Sequence, residues 1–158
     1  MRQLLRACQD NNVHYVKELL DSIRVEDINY ADPDAGNKTA LHLATEADHR
    51  EIVELLLERR LIDLDCRDSV GNTPLHLAAY RGRYILVDRL LNQPGIRPNL
   101  QNKQGDTALI YVSSQVLGDA ASVRFLIDRE EVDPDIQNNH LETALVCAIK
   151  QGYCTGAA

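Results

Sequence analysis

The stretch Asp68-Ser69-Val70-Gly71-Asn72-Thr73-Pro74-Leu75-His76-Leu77-Ala78 decides how this chain is read. Asp68 to Gly71 carries turn chemistry, with Gly71 suited to a positive φ. Thr73 stands where a helix N-cap belongs, its hydroxyl available to orphan backbone N–H groups. Pro74 falls on the first helical position, where its missing N–H does no harm. Leu75, Leu77, Ala78 and Ala79 then make a slim apolar helix. The core of this stretch recurs as Thr39-Ala40-Leu41-His42-Leu43-Ala44, and in degraded form as Thr107-Ala108-Leu109-Ile110-Tyr111-Val112 and Thr143-Ala144-Leu145-Val146-Cys147-Ala148. The offsets between these blocks are 34, 34 and 36 residues, so the chain is periodic.

A second apolar block follows each of the first three: Ile52 to Leu57, Leu86 to Leu91 and Ser122 to Ile127. Within it Val53, Leu56 and Leu57 lie at helical spacing. A break separates the two blocks, with Gly82 and Gly118 in equivalent places. Each unit therefore reads as two short helices and a turn, too small to be a domain alone. The upstream Leu4-Leu5-Arg6-Ala7-Cys8 and Val16 to Leu20 read as a further helix pair, with Ala7 lying 37 residues before Ala44.

These residues resemble the ankyrin repeat, about 33 residues long with T-P-L-H-x-A preceded by D-x-x-G. The resemblance covers nearly the whole chain and implies an all-α ankyrin-repeat solenoid of stacked helix-turn-helix pairs. The expected organisation is a single array over 1–158: a divergent N-terminal repeat at about 2–31, repeats at 32–65, 66–99 and 100–135, and a truncated one at 136–158. The match is uneven. Asn37 replaces the turn glycine of the first full unit, and Asn tolerates the left-handed conformation. Ile110 replaces His in the third, which also carries about two extra residues near Val116-Leu117. Leu141 replaces Gly in the fourth, where a γ-branched side chain resists positive φ. Longer loops are expected around Asn29 to Asp34 and Ile127 to Asp135. Leu145, Val146 and Ile149 lack a second helix to cover them, so the array is expected to be a piece of a longer one or to self-associate weakly through that end.

Composition narrows the function classes. The 158 residues are 44% hydrophobic and 26% charged, which excludes wholesale disorder. Aromatics are only 4%, six Tyr, one Phe and no Trp, so aliphatic residues must fill the core. The formal charge is −7, which disfavours nucleic acid or an anionic membrane as partner of the whole chain. That charge is unevenly spread: Arg59 to Arg97 is net +3 and the remainder −10. A basic middle could orient an acidic partner segment. No apolar run approaches the ~20 residues of a membrane span. The start lacks a signal peptide's apolar stretch, and Cys8, Cys66, Cys147 and Cys154 form no CxxC pair. Reduced thiols and a cytoplasmic or nuclear location are expected. Without a secretion signal, Asn37-Lys38-Thr39 is a chance match to a glycosylation acceptor.

No residues assemble into a catalytic or metal-binding pattern. No Cys-His spacing suits a zinc site, no nucleophile sits next to a recognisable base, and no phosphate-binding glycine loop is present. No cofactor is expected. The resemblance implies that His42 and His76 brace turns between neighbouring repeats by hydrogen bonding; His14, His49 and His140 read as solvated. It also implies a non-enzymatic scaffold or adaptor that binds another protein on the concave side formed by turn tips and first helices. The alternative is a targeting module of a larger enzyme or pathogen effector. Carried over by position, the turn residues of that surface are Lys38, Arg67, Ser69, Val70, Asn72, Lys103, Gln104 and Asp106. The helix residues are Glu46, Tyr80, Arg81, Ser114, Gln115 and Lys150. Tyr80 and Arg81 lead the set, because these types dominate binding energy at interfaces.

Overall fold

The computed structural model describes residues 2–24, 27–115 and 120–151. The extra residues near Val116-Leu117, together with Gly118 and the stretch 152–158, lie outside the described residues. Nine α-helices occur among those described: α1 Arg2–Gln9, α2 Val13–Ser22, α3 Ala40–Glu46, α4 Arg50–Leu57, α5 Pro74–Tyr80, α6 Tyr84–Leu91, α7 Ala108–Ser113, α8 Ala120–Ile127 and α9 Ala144–Lys150. The only β feature described is an isolated bridge between Asp32 and Lys38. The fold is all-α.

The chain divides into two compact units, Met1–Pro74 and Leu75–Ala158. In the first, α1 packs on α2 and α3, α3 on α4, and α2 on α4. Its core is Leu4, Cys8, Val16, Leu41, Ile52 and Leu56, each at most 3% exposed. In the second unit α6 packs on α8, and α7 on both α8 and α9, around Leu86, Leu90, Leu109, Ile110 and Leu126. Burying one such aliphatic side chain contributes roughly 1.5–3 kcal/mol. The core residues named here are aliphatic apart from Cys8, in line with the low aromatic content.

The first helices begin where the sequence places them. The Thr39, Thr107 and Thr143 hydroxyls accept the amides of His42, Ile110 and Val146 respectively. Their ends follow one rule as well. The Asn12, His49 and Arg83 amides donate to the carbonyls of Ala7, Ala44 and Ala78, five residues back. Just before each donor stands a left-handed residue: Asn11 (φ 54°), Asp48 (φ 59°) and Gly82 (φ 64°). This hydrogen bond and left-handed residue form a Schellman-type stop. It makes Ala7, Ala44 and Ala78 equivalent positions, and it shows that Asn11 and Asp48 fill the place of Gly82.

The turns before the helices also repeat. The Asp68 carboxylate accepts the amides of Val70 and Asn72 at 2.9 and 2.8 Å. Asn102 does the same for Gln104 and Asp106, and Asn138 for His140 and Glu142. Each turn needs one left-handed residue, supplied by Gly71 (φ 85°), Gly105 (φ 79°) and Leu141 (φ 61°). The last of these corrects the sequence reading: Leu141 adopts the conformation its branching resists, and the Leu141 amide closes the turn on the Asn138 carbonyl at 2.9 Å. Its side chain is 76% exposed, so no packing clash adds to the backbone penalty. The first turn is longer. A 3-10 turn at Pro33–Ala35 leads into Gly36 (φ 67°) and Asn37 (φ 56°).

Candidate protein-binding surface

The signature histidines hold the turns. In the first unit His42 Nδ1 accepts the Thr39 amide at 3.2 Å, which places the ring proton on Nε2. That N–H then donates to the Asn72 carbonyl, 3.0 Å away in the following turn. Burial pushes the His42 pKa below its ordinary 6.5, because a charged imidazole would lose its water. In the second unit His76 Nε2 meets the Asp106 carbonyl at 2.9 Å. His49 departs from expectation: it is not simply solvated, since Nδ1 donates to the Cys8 carbonyl at 2.7 Å. His14 and His140 are exposed.

One apposition escaped the sequence. Cys66 Sγ lies 3.5 Å from His42 Nδ1 and 3.3 Å from Thr39 Oγ1, although 24 residues separate the Cys and the His. It is not a primed nucleophile. Burial pushes the thiol to about 12, and the imidazole is held neutral with its donor and acceptor engaged, so almost no thiolate forms near neutrality. Among the described residues no group of three or more His, Cys, Asp or Glu is placed to hold a metal ion.

The expected surface residues separate into three kinds. Arg67, Ser69 and Val70 are exposed at the tip of one turn, and Lys103 and Gln104 at the tip of the next. Tyr80 is 38% exposed at the end of α5, with Arg81 exposed beside it. A second kind is tied to named partners within the chain, and exposed Arg67 shares this, its Nη1 donating to the Gly71 carbonyl at 3.4 Å. Lys38 pairs with Glu46, and Lys150 with Glu142. Ser114 Oγ donates to the Tyr111 carbonyl at 2.9 Å, as does Gln115 Nε2 at 3.3 Å. Asp106, half-buried, accepts Asn138 Nδ2 at 2.8 Å on its carboxylate besides His76 on its carbonyl. The third kind is Asn72 alone, which is 4% exposed. Its amide binds Asp68 and its carbonyl binds His42, so it belongs to the framework of the turn and not to the open surface.

Sequence reasoning missed Tyr111. Its ring stacks on Tyr80 with centroids 4.8 Å apart and planes 19° off parallel. It also leans on His76 at 6.2 Å. Tyr111 replaces the leucines Leu43 and Leu77 of the other repeats, and that aromatic-for-aliphatic exchange was the available signal. On the second helices Tyr84 and Phe125, both exposed, stack at 6.1 Å.

Paired helices, recurrent turns and bracing histidines define a helical-repeat protein. A family profile described as "Ankyrin repeats (3 copies)" matches residues 4–102 and 75–157. The chain belongs to the ankyrin-repeat family, whose repeats are generally protein–protein interaction modules. It is similar to neurogenic locus notch homolog protein 1 of Xenopus tropicalis, 34% identical over 116 residues, 73% of this chain and 4% of that protein. It is similar as well to alpha-latrotoxin-Lh1a of Latrodectus hasselti, 37% identical over 79 residues, 50% of this chain and 6% of the toxin. Palmitoyltransferase AKR1 of Lachancea kluyveri is 29% identical over 150 residues, 92% of this chain and 20% of that protein. The chain thus spans a small part of each relative. No helix among the described residues is long and apolar enough to cross a membrane.

Proposed function

We propose that the chain is a non-enzymatic interaction module, a scaffold or adaptor in the cytoplasm or nucleus. It binds a partner protein through its turn tips and the exposed ends of its first helices. The observation that carries this reading is the division of labour along each repeat. Thr39, His42, Asp68, Asn72, Thr73, His76 and Asn102 are buried in the framework. Arg67, Val70, Tyr80, Arg81, Lys103 and Gln104 are exposed. Repeats at 32–65, 66–99 and 100–135, flanked by the divergent first and truncated last ones, belong to the same reading, and so does an acidic partner segment drawn to the net-positive middle.

Affinity capture from lysate tests it, with the native chain beside a Tyr80→Ala/Arg81→Ala double variant. Partners should be retained by the native chain and lost by the variant. Survival of every specific partner would refute the assignment of the surface. Weak self-association through α9 is the remaining element, supported by Leu145 and Ile149 at 66% and 51% exposure. Sedimentation that stays monomeric over a wide concentration range removes it.

A second reading, a targeting module within a larger enzyme, is supported by the similarity to a palmitoyltransferase of which this chain spans one fifth. Sequencing the full transcript decides it, since a catalytic domain in the same reading frame is required.

A further inference from the structure

Helix α9 packs on α7 and buries Ala144 and Cys147. Its Leu145, Val146 and Ile149 stay 66, 39 and 51% exposed. At about 100° per residue these three form one arc, on the side opposite Ala144 and Cys147. The equivalent places on α3, α5 and α7 are at most 4% exposed. There the third place holds a small residue, Thr45, Ala79 or Ser113, whereas α9 sets Ile149 in it. The open arc therefore carries more apolar bulk than its buried counterparts. It adjoins a cavity of about 350 Å³, lined mainly by Leu109, Ile127, Pro134, Leu145 and Ala148, which gives an incoming aliphatic side chain a recess to enter.

Leu141 adds a second, independent observation. It stands on the turn that enters α9, at φ 61° and 76% exposed. A glycine would hold this turn without the backbone penalty. A strained residue whose side chain meets solvent points to a use for that side chain outside the turn itself.

Charge selects the occupant. Lys150 at the end of α9 pairs with Glu142 just before its start, so the two ends of the face carry opposite charges that neutralise each other. When two such helices meet antiparallel, each Lys150 end lies against the other copy's Glu142 end. The ion pairs are then kept or exchanged without loss, and the helix dipoles oppose each other favourably. A parallel pairing would set like charges together. The face is thus self-complementary about a two-fold axis, the requirement for an isologous contact.

We propose that this face binds a second copy of the chain: two α9 helices, with their Leu141 turns, pack antiparallel about a two-fold axis near Val146. The proposal rests on the self-association element of the interaction-module reading, and adds the geometry and the residues that carry it.

Sedimentation equilibrium of the full chain tests it, together with zero-length carbodiimide cross-linking of an equal mixture of isotopically light and heavy chains. A reversible monomer–dimer equilibrium is expected, with Lys150–Glu142 links that join a light chain to a heavy one. Leu141→Gly and Leu145→Ala should each weaken dimerisation by about tenfold, and urea unfolding checks that both variants keep the fold. Leu61→Ala, at an exposed leucine of the first unit, should leave it unchanged. A dimer indifferent to both substitutions, or one without light–heavy Lys150–Glu142 links, would overturn the antiparallel arrangement and leave self-association standing. A chain that stays monomeric would overturn both, while the turn-tip surface is judged separately by affinity capture. A protein captured by a monomeric chain and lost on Leu145→Ala would assign the face to that protein and overturn the proposal as well.

Discussion

Leu141 and Gly105 occupy the same place in successive turns, and their side chains invert the usual expectation. Leu141 holds φ at 61° with its side chain 76% exposed. A left-handed non-glycine residue costs about 1–2 kcal/mol, and little burial offsets it here. Leu141→Gly should stabilise the chain by about 0.5–1 kcal/mol, after the added freedom of the unfolded glycine is subtracted. Gly105 is the opposite case. A Cβ there would lie 2.6 Å from the backbone nitrogen of Asn139, at φ 79°. Gly105→Ala should therefore destabilise by about 2 kcal/mol or more. Urea unfolding of the two variants checks both signs. His42 adds a pH dependence. Its pKa is lowered in the folded state by burial, so below its ordinary 6.5 the unfolded chain binds the extra proton more readily. Stability should be full above pH 6.5 and fall as pH drops below it. In His42→Gln that part of the slope should be absent, although the variant is less stable overall. An unchanged slope in the variant would assign the effect elsewhere.

At the scale of elements, α7 and α9 share one sequence pattern but not one environment. Leu109 on α7 is 2% exposed, whereas the equivalent Leu145 on α9 is 66% exposed. Leu109→Ala should cost about 2.7–5 kcal/mol, the range for a truncated core leucine. Leu145→Ala should stay within about 0.5 kcal/mol, and equal losses would contradict the burial pattern. The helices themselves were legible in the sequence, because caps, proline and apolar spacing are local signals. Of the stops among the described residues, the sequence marked the one at Gly82; Asn11 and Asp48 reach the same left-handed state without a glycine to announce it. Partners from different repeats were less visible still. Asn29 bonds the Leu61 carbonyl and the Asp63 amide, and Asn99 bonds the Glu131 carbonyl and the Asp133 amide, each across more than thirty residues. Separation along the chain also hid the Tyr80–Tyr111 stack, 31 residues apart, and the Cys66–His42 apposition, 24 apart. Asn72 was misread for a related reason: its place at a turn is local, but its burial depends on His42, thirty residues earlier.

For the whole molecule, three buried or half-buried cysteines report how stability is spread along the chain. Cys8 and Cys66 belong to the first unit and Cys147 to the second. Burial pushes the thiols of Cys8 and Cys66 to about 12. Cys147 is raised to about 11, by burial first and then by its hydrogen bond to Glu142. Alkylation proceeds through the thiolate. A rise of three pKa units lowers the reactive fraction near pH 8 by roughly a thousandfold. Cys8 and Cys66 should therefore react far more slowly in the folded chain than after denaturation, and Cys147 should react before either. Local opening adds to the same order, since Leu145, Val146 and Ile149 on the helix that carries Cys147 are exposed and little apolar burial resists its fraying. Repeat arrays distribute stability as a sum of units and their neighbour contacts, so urea should release Cys147 at a lower concentration than Cys8. Timed alkylation with residue-level mass spectrometry measures both orders. Simultaneous labelling of Cys8 and Cys147 at every urea concentration would show instead that the two units open as one cooperative body.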